Sequence, residues 1–275
     1  MQLLKSIFLS LYLMMAFAGI AIGVDQYVHG YPLAALALGL ISLSFVLFIA
    51  WLFIFPVART SANPKLVSGI IFIGTVLLGI AFYKQQVEAM SALGFVLALC
   101  WWFYIKWYST FTDRSSAALA TGNLLPQMQL EDHTGQSINT SDIMPHKSIL
   151  MFYRGNWCPI CMAQIKELVQ VYKKIEAKGI QTILISPQPH NYSKRLADKH
   201  NLNFKFLVDK NNSVAKQLDI FSKNGLPTGL QVFGFDSNTV MPTIILTDES
   251  GRIIHSDLTS NYRVRPEPED LLAYF

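Results

Sequence analysis

Four long apolar stretches occupy the first 110 residues, and short alternating ones fill the rest. Residues 6–24, 33–55, 66–83 and 89–105 carry no Asp, Glu, Lys, Arg or His. Each is about long enough to cross a hydrocarbon core as a helix. After residue 122 the pattern shortens. Leu124–Leu130 reads as extended around Pro126, Glu131–Gly135 as a turn, and Gln136–Asn139 as a returning strand. Ile149–Tyr153 is a buried strand, and from Cys161 the apolar positions Ile165, Leu168, Tyr172 and Ile175 define one helix face. Gly179 caps that helix. Then come a strand (Ile180–Ile185), a helix (Asn191–His200), a strand (Phe204–Asp209), a helix (Ser213–Leu218) and a long loop over 222–240. A hairpin turning at Asp248–Gly251 and a last helix (Glu267–Tyr274) complete the chain. This order predicts an α/β domain, a mixed sheet flanked by helices, behind a four-helix transmembrane bundle.

Composition sharpens the division. The chain is 52% hydrophobic and 15% charged, with mean hydropathy +0.33, which is too apolar for an ordinary soluble protein. The first 110 residues hold five basic side chains and two acidic ones, so the remainder is nearly neutral. The expected organisation is a membrane region over 1–110, a linker or short entry helix over 111–121, and a globular domain over 122–275. No Lys/Arg cluster marks one element, so nucleic acid is excluded as a partner. The lipid bilayer is the partner of the first region. Residues 6–24 lack a clean small-residue cleavage site and read as a retained helix rather than a signal peptide. Trp101, Trp102, Tyr104, Trp107 and Tyr108 read as interfacial aromatics. Gly39, Ser42, Ser44, Gly69, Gly74 and Gly79 allow close helix packing. Without intramembrane charge the spans predict anchoring, not transport.

The candidate chemistry lies between the strand and its helix. There the chain reads Tyr153-Arg-Gly-Asn-Trp-Cys-Pro-Ile-Cys161. Cys158 falls at the helix N-terminus, with Pro159 at the first helical position. Unpaired backbone N–H groups and the helix dipole favour an anion there, so a partly exposed, reactive thiolate is expected. Arg154 adds positive charge, and Trp157 and Tyr153 flank the pair. Cys161 begins the apolar face and points inward. The two sulfurs can close a disulfide after attack on a disulfide or peroxide. Half of a zinc site is the competing reading, with His146, His190, His200 and His255 as the available partners; haem attachment fails because Met162, not His, follows Cys161. No metal or other cofactor is called for. Cys100 is alone in its span, so the helices carry no dithiol relay of their own.

Taken together, Phe152–Cys161, Ile185-Ser-Pro-Gln188, Met241-Pro-Thr243 and Tyr262–Glu269 resemble the thioredoxin superfamily. The likeness is greatest to its alkyl hydroperoxide reductase/thiol-specific antioxidant, peroxiredoxin-like branch. The resemblance implies a thioredoxin-like fold and antioxidant oxidoreductase activity. It pulls in two directions. The peroxidase pattern sets the attacking sulfur at Cys161 and leaves Cys158 to resolve. The thioredoxin pattern makes Cys158 the nucleophile, Cys161 the resolving thiol, and Pro242 a cis-proline shaping the substrate groove. Phe152 stands where that pattern has a buried Asp. Implied partners are a protein or small-molecule disulfide or hydroperoxide and a thiol electron donor. A non-catalytic membrane adaptor that keeps the fold is the remaining alternative.

Four spans imply a multi-pass protein of the cell (inner) membrane. Lys5, Arg59, Lys65, Lys106 and Arg114 flank one side and Lys84 the other. The positive-inside rule therefore puts both termini in the cytoplasm; loss of the first span puts the redoxin domain on the periplasmic, extracytoplasmic side. Alkaline phosphatase fused after Phe275 is expected to be inactive in intact cells, and an active fusion reverses the orientation.

Overall fold

The computed structural model describes residues 2–112, 114–200 and 202–275; Asp113, within the expected linker, lies outside the described residues. The chain divides into two compact units, a helical one (Leu4–Pro56 with Thr60–Thr110) and one built on Phe111–Phe275.

In the helical unit, α1 (Gln2–Val28), α2 (Pro32–Ile54), α3 (Lys65–Tyr83) and the segment Ala89–Tyr108, which contains α4 (Leu93–Phe103), are long and apolar enough to cross a membrane. Tyr12 stacks on Phe45 with ring centroids 3.6 Å apart. Trp101, Tyr104 and Tyr108, expected at an interface, are buried and stacked in series at 5.5 Å. Trp102 keeps the expected exposure. Of the three small residues expected to pack α3, Gly74 does so. A Cβ there would lie 2.9 Å from Ile41 and 3.0 Å from the Ala37 carbonyl, whereas Gly69 and Gly79 face open space.

The second unit is organised on a seven-stranded sheet. Its elements are β1 (Gln129–Asp132), β2 (Ser137–Asn139), α5 (Thr140–Ile143), β3 (Ser148–Phe152), α6 (Pro159–Gln170), α7 (Tyr172–Ala177), β4 (Gln181–Ser186), α8 (His190–His200), β5 (Phe204–Val208), α9 (Ser213–Gln217), β6 (Phe221–Ser222), β7 (Thr239–Val240), β8 (Thr243–Thr247), β9 (Ile253–Asp257) and α10 (Pro268–Leu272). The strand order is β2-β1-β5-β4-β3-β8-β9. Strands β3, β4 and β5 run parallel, and β1 and β8 border them antiparallel.

Alternation along β3 sorts the two cores. Ile149 and Met151 face one cluster with Ile165 and Leu168 of α6, Leu196 of α8 and Leu271 of α10. Leu150 and Phe152 face the other, with Ile143 of α5 and Val214 and Ala215 of α9. Helices therefore cover both faces of a mixed sheet, the thioredoxin-like arrangement.

Three local differences from the sequence pattern have physical causes. The helix expected to run unbroken from Cys161 to Ile175 breaks at Val171 (φ −97°, ψ 10°), and α7 restarts it. Ile175 stays buried across the break. Residues 114–123 are bound to the domain rather than loose: Leu119 is fully buried and Gly122 N–H donates to the Ile253 carbonyl at 2.8 Å. The long loop over 222–240 is closed at its base by β6 pairing with β7. The Gly179 cap forms as expected, at φ +66°; its N–H donates to the Glu176 carbonyl and that of Ile180 to the Ile175 carbonyl.

Leu150 is fully buried at the centre of the sheet. Leu150→Ala is expected to lower stability by about 2–5 kcal/mol, against less than about 0.5 kcal/mol for Val232→Ala at an exposed loop tip. Thermal denaturation of the full chain in detergent checks the contrast.

Candidate functional site

The site is assembled where β3 ends. Tyr153 continues the strand, donating its N–H to the Ile185 carbonyl at 2.9 Å. Gly155 then turns the chain at φ +142°. A Cβ on it would sit 2.8 Å from the Trp157 ring, so only glycine fits the reversal. Cys158 N–H closes the turn on the Gly155 carbonyl at 3.1 Å. Cys158 is the N-cap of α6 and Pro159 its first residue. Met162 N–H bonds the Cys158 carbonyl at 3.1 Å, which sets Cys161 one turn into the helix.

The two sulfurs are not bridged by a disulfide and both are buried. The exposure expected for Cys158 is not found: it is 3% exposed. The cause is packing, because Cys158 shares one apolar cluster with Tyr153, Ile160 and Cys161, and Trp157 lies against it. Reaction with a large partner therefore requires that this cover move.

Electrostatics separates the pair. A hydrogen bond from the Cys161 thiol, with the positive charges of Arg154 and Arg265, brings Cys158 down to about 6 against the opposing effect of burial. Burial pushes Cys161 well up, and the neighbouring Cys158 sulfur adds to the rise. At neutral pH the first sulfur is an anion and the second keeps its proton. The leading cause of this lowering is the second thiol rather than the helix position.

Two residues that pattern reading passed over hold this arrangement. Gln188 is 2% exposed. Its Oε1 accepts the Asn156 N–H at 2.8 Å, and its Nε2 donates to the Tyr153 hydroxyl at 3.0 Å and the Ser193 hydroxyl at 3.2 Å. Arg265 is 5% exposed, and its charge acts on both sulfurs. The only sequence signal for either was membership of a resembling segment. Arg154 is anchored by its neighbours. Its guanidinium lies 4.6 Å from the Trp157 ring centroid and donates to the Gly225 carbonyl, and its own carbonyl accepts the Thr239 hydroxyl at 2.9 Å. Both partners belong to the 222–240 loop, so that loop's base packs on the site. At its tip Val232 and Phe233 are 81% and 61% exposed, while Phe235 is buried against Tyr192.

Pro242 requires a correction. The bond before it is trans; the cis X–Pro bond is Met144–Pro145. Met241 N–H is taken by the Ile220 carbonyl at 2.7 Å and the Pro242 carbonyl by Arg114 at 2.9 Å, which hold the segment extended into β8. Thr243 pairs with Phe152, so Pro242 borders the strand end leading to the cysteines. Phe152 itself faces the opposite core cluster from the sulfurs.

Residues 121–256 match the AhpC/TSA family model. This segment is an AhpC/TSA redoxin domain. Relatives include peroxiredoxin Bcp of Escherichia coli K12, 24% identical over 137 residues that cover 50% of this chain and 84% of that protein. Peroxiredoxin Bcp of Bacillus subtilis is 25% identical over 135 residues (48% and 81%). Among solved structures, reduced Prx3 of Vibrio vulnificus has a TM-score of 0.48 and 19% identity, covering 56% of this chain and 96% of that one. Peroxidoxin BcpB of Mycobacterium tuberculosis has 0.46 and 17% (57% and 96%). The redoxin domain places the chain among the oxidoreductases.

Thiolate absorbance of Cys158 is expected to titrate with a midpoint near 6. Cys161→Ala, which removes the leading hydrogen bond, should raise the midpoint most, and Arg154→Met should raise it less. A midpoint unmoved by either substitution contradicts the electrostatic account.

Proposed function

We propose that the chain is a membrane-anchored thiol–disulfide oxidoreductase with Cys158 as nucleophile and Cys161 as resolving thiol. One observation carries this reading: Cys158 is the N-cap of α6 with Cys161 one turn on in the same buried cluster, where the second thiol and nearby guanidinium charge lower the first sulfur and burial raises the second. The four apolar helices support anchoring by their length and composition. The boundaries proposed are 1–110 for the anchor, 111–121 for the linker and 122–275 for the redoxin domain, with the domain on the cytoplasmic side.

The chemistry then runs in two exchanges. The Cys158 thiolate attacks one sulfur of a substrate disulfide; a Cys158–substrate disulfide forms, and the other substrate sulfur leaves as a thiolate that takes up a proton. Cys161 loses its proton and attacks the Cys158 sulfur. The Cys158–Cys161 disulfide forms, and the second substrate thiolate leaves and is protonated. The substrate gains two electrons, the pair is oxidised, and an external thiol donor restores it. Tyr153, Arg154, Trp157 and Pro159 form the environment of the first sulfur, and Pro242 borders the approach to it.

The relatives' description as peroxiredoxins favours a second reading, reduction of a hydroperoxide with Cys161 as the attacking sulfur and Cys158 as resolver. Single substitutions separate the two. For disulfide exchange, Cys161→Ser should accumulate a mixed disulfide on Cys158 with an aromatic disulfide probe. Cys158→Ser should lower the exchange rate by at least about a hundredfold. For peroxide reduction, Cys158→Ser should keep first-turnover peroxide consumption and Cys161→Ser should abolish it.

A further inference from the structure

Arg265 lies beyond the segment matched by the family model, which ends at residue 256. The turn before it is tightly tied. Thr259 Oγ1 lies 2.9 Å from both the Asn261 and Val264 carbonyls, which share its one proton, Arg263 N–H donates to Asn261 Oδ1 at 3.0 Å, and Val264 N–H to the Asn261 carbonyl at 3.0 Å. These bonds deliver a guanidinium into the protein interior. Its Nε and Nη2 have no hydrogen-bond partner there. Open donors on a buried cation are costly unless an anion faces them. The charged and titratable groups around Arg265 are Cys158, Cys161, Arg154, Asp257 and Arg114, with His255 acting on Asp257. A cavity of about 280 Å³ is lined by Arg265 itself together with Asp257, His255, Asp270 and Tyr274.

The two exchanges make different demands on this charge. In the first, Cys158 is already an anion stabilised chiefly by the Cys161 thiol, then by Arg154 and least by Arg265. Once Cys158 is tied up with substrate, that negative charge is gone and a new one must form on Cys161. The guanidinium of Arg154 is engaged with the Gly225 carbonyl and the Trp157 face. Arg265 is the side-chain cation that acts on the Cys161 sulfur.

We propose that Arg265 is the positioning charge of the resolving step: its open donors and buried charge hold Cys161 as a thiolate while it attacks the mixed disulfide. This rests on the dithiol reading above. The proton of Cys161 leaves to solvent, the Cys158–Cys161 bond forms as the Cys158–substrate bond breaks, and the substrate thiolate carries away the electron pair. Loss of the Arg265 charge leaves the first exchange nearly intact, because a sulfur titrating near 6 stays largely ionised at neutral pH after a modest rise. The same rise on Cys161 removes about tenfold of its thiolate per pH unit.

The test is single-turnover reduction of an aromatic disulfide by the full chain in detergent. Release of the first thiolate and decay of the mixed disulfide are followed separately against pH. In Arg265→Gln the second step should slow by about tenfold or more with the first changed less than about threefold, and its pH profile should shift upward. Arg265→Lys should recover most of the rate. Asp257→Asn, which removes a competing carboxylate, should accelerate the second step and shift its profile downward. A second step within about twofold of wild type in Arg265→Gln, or equal slowing of both steps without recovery in Arg265→Lys, overturns the proposal. If Arg265→Gln does not fold, an unchanged second step in Asp257→Asn overturns it instead. Absence of a Cys158 mixed disulfide in Cys161→Ser is the separate result that defeats the underlying dithiol reading.

Discussion

Everything at the site depends on one proton shared unequally between two buried sulfurs. In water two neighbouring thiols titrate almost alike. Here both lie in an apolar cluster, where burial alone would keep both neutral. One sulfur escapes that outcome because the other donates to it and two guanidinium groups face it. The asymmetry is therefore a property of the pair and its surroundings, not of the helix terminus alone.

The sheet makes this arrangement rigid. Parallel pairing of β3 with β4 fixes the strand end, and Gln188, just past β4, grips the turn that follows β3. The turn cannot drift without breaking bonds to Tyr153, Asn156 and Ser193 together. On the other side, β6 and β7 close the base of a loop whose Gly225 and Thr239 hold Arg154. Burial of the sulfurs and fixation of their charged neighbours thus arise from different parts of the chain meeting at the ends of interior strands β3 and β4, which keeps the local field unscreened.

Much of this was legible in the residues because the signals were local. The run Ile149–Tyr153, Pro159 after Cys158 and Gly179 at a helix end each carry their meaning within a few positions. What escaped was long-range. Nothing near Arg265 announces that it faces the cysteines, and Gln188 reads as an ordinary polar residue after a strand. The break at Val171 was hidden because burial of Ile165, Leu168 and Ile175 keeps a helical period across it. Burial of Cys158 was missed because position at a helix start says nothing about what packs over it. The cis bond expected at Pro242 was carried over from the thioredoxin pattern, whereas the hydrogen bonds to Met241 and Pro242 are particular to this chain.

Gln188 also imposes a narrow chemical requirement. One face of its side chain must accept a backbone N–H while the other donates to two hydroxyls. Glutamate could accept from the two hydroxyls instead, but it would bury a carboxylate at a position 2% exposed, and lysine or arginine offers no acceptor for the Asn156 N–H. Asparagine has the right groups but a shorter reach. Position 188 is therefore tied at both ends of its amide, to the turn that carries the cysteines on one side and to the helix after β4 on the other.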